Sequence, residues 1–470
     1  MRVVDFGGQF VLVMLAFLVL STSTPALAER DGADDAADSR IVFSKFRPVG
    51  PGSCAARACH GSTEQSLFTN ERSRLSHTIW VQSDPHARAG QVLHEDRSKA
   101  IIQRLGWKEP AHHAPQCLAC HATSTVGNDR IAGEGVSCES CHGPAERWLD
   151  AHVSLSWKSK NSETKSREYG MNPLRKLSER AETCVGCHVG APQDPLRGIP
   201  SRDMNHAMIA AGHPRLTYEF AAYLDQLPKH WNEKLAVEDA RAKAWLIGQL
   251  STAKAGSELL ASRSRLSSQT PNTTPWPEFS EYNCYACHFP LKPEISLRSA
   301  LKKPEDVGLP AWGSWTTPRL RDLIRANPGQ PPKDFEGNLN NLAKSMRFNS
   351  TTAEHVQSQA SLVGKELGQW LQEVDRIDAN PQGLLDGLLR EHRRDQGHWN
   401  VTDWDDGAQL FLALSALNHP DSLRTGPPRI LIPNLDIELK SLRNLLTFPD
   451  GKDSPGNFPP SFFEKALIKP

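Results

Sequence analysis

The 470-residue sequence predicts a mainly α fold with little regular sheet, a cysteine-rich N-terminal part preceding a helical C-terminal region. Three observations predict it. Apolar residues recur at helical spacing through residues 233–266 and again beyond residue 360. Alternating strand patterns are scarce. All ten cysteines lie between residues 54 and 288, in pairs that each end in Cys-His, and hydrophobic content is only 38%, which is low for building a conventional core along the whole chain. Lys plus Arg and Asp plus Glu both total 54, so there is no basic surplus to draw in phosphate backbones, and no nucleic-acid partner is expected.

Read from the start, Phe10 to Leu20 is an apolar run followed by Ala26-Leu27-Ala28, the pattern of a cleaved signal peptide over residues 1–28. The run is short for a bilayer span of about 20 residues, although the weakly basic start leaves an uncleaved anchor as the alternative. Residues 29–45 are acidic at first and carry no hydrophobic period, so a disordered leader is expected. No later segment is long and apolar enough to span a membrane, and an exported, periplasmic protein without a transmembrane segment after cleavage is expected. In an oxidising compartment, cysteines default to disulfides.

The spacing overturns that default. Four sites read C-x-x-C-H: Cys117, Cys120 and His121; Cys138, Cys141 and His142; Cys184, Cys187 and His188; Cys284, Cys287 and His288. A fifth, Cys54, Cys59 and His60, has four residues between its cysteines. With 18 histidines in 470 positions, a histidine after every pair is not chance. Two thiols a short step apart add to the two vinyl groups of one haem, and the following imidazole then reaches the iron. A disulfide needs no histidine, and adjacent Cys and His do not easily occupy two corners of a zinc tetrahedron. Five covalent haem c groups are therefore expected, the first less firmly, with a Cys54–Cys59 disulfide as its alternative. The haems would supply the missing core, and their propionates would make the holoprotein acidic, suiting redox protein partners with a basic docking surface.

Nine further histidines lie between the first site and residue 300. His77, His86, His152, His206 and His213 are the candidate distal iron ligands; each could instead pair with a propionate or lie at the surface. His86 follows Pro85 among small residues, His152 comes ten residues after His142, and His206 and His213 would share one helical face. His112 or His113 is a further candidate. His94 and His230 are expected to be solvated, and Met204 and Met208 to pack rather than ligate.

The runs Trp80 to Ala89 (WVQSDPHARA), CLACH, Gly135 to Pro144 (GVSCESCHGP) with His152 beyond it, and Met208 to Leu216 (MIAAGHPRL) resemble the exported multihaem c-type cytochromes related to the tetrahaem cytochrome that accepts electrons from hydroxylamine oxidoreductase. The resemblance covers roughly residues 50–290. It implies mostly bis-histidine haems in stacked pairs, often with one open iron, and supports His152 and His86 as ligands. The chain departs in having five sites rather than four and an expanded first site. It has no C-x-x-C-K site, unlike the pentahaem nitrite reductases.

The expected organisation is a pentahaem cytochrome c domain over 46–295, including a long helix near 233–266, and a helical region over 296–470. In the latter, Val363 to Val374, Leu410 to Leu417 and Leu435 to Leu446 follow helical periods, the last with Asn434 as a plausible cap. That region either shields the last haem or docks a partner, and amphipathic stripes more often make core. The leading functional expectation is electron transfer between redox partners. The alternatives are an oxidoreductase with one open iron acting on a small nitrogen or sulfur compound, for which no catalytic residue stands out, and a stable subunit of a larger redox complex.

Overall fold

The computed structural model describes residues 46–64, 71–123, 133–195, 198–231, 240–270, 274–284, 287–288, 309–313, 315–347, 352–392, 404–418 and 435–447. The expected signal peptide and leader, up to residue 45, lie outside them, as do Tyr285 and Asn434. The described residues belong to one unit, residues 40–470.

The fold is helical. Among the described residues, strand pairing is limited to isolated bridges such as Ala191 with Arg202. The first half is a succession of short helices tied together by loops. These are α1 (Ser76–Ser83), α2 (Asp96–Leu105), α3 (Pro115–His121), α4 (Cys138–His142), α5 (Leu155–Ser159), α6 (Ser162–Tyr169), α7 (Leu177–His188), α8 (His206–Ala210) and α9 (Phe220–Gln226). Their ends are set by local chemistry. Pro115 opens α3 at a position where a missing N–H costs nothing. Asn161 and Asn205 cap α6 and α8 by accepting from Thr164 N at 2.7 Å and Met208 N at 3.0 Å. Gly143, directly after His142, adopts φ +83°, and a Cβ there would lie 2.2 Å from the Gly170 carbonyl oxygen, so the turn that follows α4 requires glycine.

The second half packs conventionally. Helix α10 (Ala240–Gln269) runs 30 residues and is buried on nearly every side; it lies along α13 (Ala353–Arg376) in the most extensive helix pairing among the described residues. It ends three residues beyond the span expected from the sequence, and residues 232–239 lie outside the described set. Helices α11 (Leu320–Ala326), α12 (Phe335–Ser345), α14 (Pro381–His392), α15 (Trp404–Leu417) and α16 (Leu435–Leu446) complete the bundle. Trp245, Leu250, Val363, Leu367 and Trp370 are fully buried at its centre. On its other side α10 packs against α7 and α9. There Lys254 bridges Glu182 of α7 at 3.1 Å and Glu258 at 3.2 Å. The bundle is thus a platform under the helix that carries the fourth Cys-His motif.

Between residues 50 and 170 the apolar clusters are small, one around Leu93, Ile102 and Leu118 and one around Ala145, Trp148 and Trp157. Beside them is a cavity of about 1380 Å³. No helix among the described residues is long and apolar enough to cross a membrane.

Candidate functional site

Three of the motifs are single helical turns. The second and third occupy the last turns of α3 and α4, and the fourth ends α7, so Cys at i and i+3 lie on one helical face with the histidine beside them. In the fifth, His288 N donates to Cys284 O at 2.8 Å. In the first, Cys54 closes a 3₁₀ turn and the two extra residues are absorbed by a second turn, in which Cys59 N donates to Ala56 O at 2.8 Å.

Every motif histidine faces a second histidine from a distant segment. The ring centres are 6.2 Å apart for His60 and His152, 6.2 Å for His121 and His213, 6.3 Å for His142 and His230, 6.1 Å for His188 and His86, and 6.2 Å for His288 and His206. Two imidazoles on one metal, each with a bond of about 2.0 Å and a nitrogen about 1.1 Å from its ring centre, have centres about 6.2 Å apart. Ring contacts without a metal between them are closer here, 4.2 Å for His94 with His112 and 4.4 Å for His112 with His113.

The outer nitrogens are held as metal ligands require. Nδ1 donates to Ser73 O from His60 at 2.5 Å, to Ala89 O from His121 at 2.9 Å, to Leu149 O from His152 at 2.6 Å, to Pro214 O from His213 at 2.8 Å and to Pro228 O from His230 at 3.2 Å. His86 Nδ1 donates to Asp84 Oδ1 at 2.8 Å. A hydrogen bond to an oxygen fixes the proton on Nδ1 and leaves the Nε2 lone pair for a metal. Burial pushes His142 and His188 each down to about 4, so both are neutral at pH 7, the form that ligates.

The cavity joins these sites. Residues of the first four motifs line it together with His86, His152, His213 and His230. Its volume exceeds the roughly 1,000 Å³ upper range of ordinary small-molecule pockets. Within it Cys54 lies beside Cys138 and Cys120 beside Cys187, so motifs one and three, and two and four, are neighbours. Burial pushes the Cys141 and Cys184 thiols up to about 12 and about 11. Cys187 is drawn down to about 5 by its bond with Cys120, Arg202 adding to the effect. Donor set, separation and space all fit haem.

Of the histidines singled out from the sequence, His86, His152, His206 and His213 each meet a motif imidazole. His77 does not. It sits at the start of α1 with its backbone N–H on His60 O, and its ring lies 5.7 Å from that of Trp80. Its place is taken by His230, expected to be solvated but half-buried against His142. For His230 the missed signal is Pro228 two residues before it; Pro85 before His86 and Pro214 after His213 likewise fix the turn that presents the ring. Met204 and Met208 line the cavity wall.

Residues 54–143, which hold the first three motifs, match the model of a family described as cytochrome c554 and c-prime. No curated protein and no solved structure matches the chain. The match supports a c-type cytochrome with covalent haem c, acting in electron transfer with redox protein partners.

Proposed function

We propose that the chain is an exported, periplasmic pentahaem carrier that passes electrons between redox proteins, in the line of the tetrahaem cytochromes that accept electrons from hydroxylamine oxidoreductase. The observation that carries this reading is the fivefold recurrence of one imidazole separation at the five Cys-His motifs. Haem bound there supplies a reversible one-electron couple.

The protein's own residues then do four things. Paired cysteines would tether each haem. His60 with His152, His121 with His213, His142 with His230, His188 with His86 and His288 with His206 would each hold one haem iron between them, leaving no open position for a substrate. The Nδ1 hydrogen bonds of His60, His86, His121, His152, His213 and His230 fix the rotation of those rings, so little rearrangement there accompanies a change of charge. Mostly apolar walls would give the haems of the first four sites a surround of low polarity.

Contacts between motifs give an order for the path. Cys54 meets Cys138; Cys141 feels the charges of Cys184 and Cys187; Cys187 meets Cys120. His213 and His206, which serve the second and fifth sites, lie on one short segment at α8. The order in space is one, three, four, two, five, with the first and fifth sites as the terminal entry and exit points.

The intact mass of the protein, matured in a host that attaches haem c, tests the haem count. The chain plus five haems is expected; four or fewer with all cysteines present would contradict the reading.

A further inference from the structure

Five of the six histidines whose Nδ1 partner is described here donate to a backbone carbonyl. The sixth, His86, donates to a carboxylate. Asp84 Oδ1 accepts from His86 Nδ1 at 2.8 Å and from His86 N at 3.0 Å, and Asp84 is only 4% exposed. The geometry is built by sequence. Pro85 follows Asp84 and holds it in extended backbone (φ −89°, ψ 121°), from which its side chain folds over the next turn as a cap. The cap's second acceptor role, toward the ring, also fixes the ring's orientation.

We infer that Asp84 is a positioning residue that makes His86 a stronger iron donor than the histidines held on backbone carbonyls and lowers the reduction potential of the fourth haem. This rests on the bis-histidine reading above. A carbonyl partner offers a partial charge; an ionised carboxylate offers a full one, in a buried setting where it is screened little. Polarising Nδ1–H toward that charge pushes electron density onto Nε2, and a carboxylate behind a ligating histidine raises its basicity. A more basic ligand favours the oxidised iron. The fourth site lies mid-path, between the third and the second, so a depressed potential there divides the electrons into two pools, sites one with three and sites two with five.

The test is a spectroelectrochemical titration of the holoprotein, wild type against Asp84→Asn and Asp84→Glu. Asn keeps an acceptor of the same size and loses the charge. One haem couple is expected to shift upward in Asp84→Asn by a factor of about ten in its equilibrium, about 59 mV for one electron, while the other four and Asp84→Glu stay close to the wild type. Haem mass and the low-spin spectrum report whether all sites remain closed in the variants. Unchanged potentials in a fully loaded, low-spin Asp84→Asn protein would overturn the role of Asp84 and leave the carrier reading intact. A wild type with fewer haems or an open iron would instead strike at that reading.

Discussion

His142 and His230 stand with their ring centres 6.3 Å apart, although the first ends α4 and the second follows α9. Burial keeps His142 neutral, and His230 Nδ1 is fixed on Pro228 O at 3.2 Å. Replacing His230 with alanine should therefore open one iron without loosening either thioether. Expected is an unchanged haem mass and the appearance of carbon monoxide binding at one haem per chain. His77→Ala, by contrast, should leave the spectrum unaltered.

The ring planes differ in angle from site to site. They are near parallel at the first and fifth sites, 14° and 28°, and steep at the second, third and fourth, 80°, 69° and 78°. Crossed axial planes leave the iron d orbitals near degenerate and give strongly anisotropic low-spin resonances, whereas parallel planes give rhombic ones. Electron paramagnetic resonance of the oxidised protein should show three centres of the first kind and two of the second.

Cys54 and Cys59 flank a loop two residues wider than the other motifs, yet His60 reaches the same separation from His152. Replacing both cysteines with serine should lower the covalent haem count by one. An unchanged mass would remove the first site from the set.

Glu219 caps α9, accepting from Ala221 N at 2.9 Å and Ala222 N at 2.8 Å. Burial outweighs those bonds and pushes its carboxyl up to about 7. The folded state thus keeps a proton that the unfolded chain loses near pH 4.3. The stability this contributes is fully present below about 4.3 and is lost as pH rises through about 7. Denaturant midpoints measured across that window should fall for the wild type, by on the order of 3–4 kcal/mol in all, and Glu219→Gln should flatten the slope.

Much of this was legible in the sequence because it is local. Cysteine spacing within one helical turn, the period of Val363 to Val374 and the proline before His86 are all short-range patterns, and the helices and motifs follow from them. The distal ligands are tertiary. Nothing near His230 marks it as the partner of His142, since their meeting depends on how α9 packs against α10. His77, near Trp80 and just ahead of the S-x-x-H-A run, had the better local context, but the fold turned its ring toward the indole. The carboxylate on His86 was in plain sight as Asp84-Pro85-His86; what the sequence lacked was the rotation that brings the side chain to Nδ1.

The most direct test of a closed electron carrier is the visible spectrum of the dithionite-reduced holoprotein before and after carbon monoxide. With two histidines on every iron, a sharp low-spin α band and no Soret shift are expected. A large Soret shift in the wild type would show an open or labile iron, contradict the pairing of all five motif histidines, and point to chemistry on a small ligand instead.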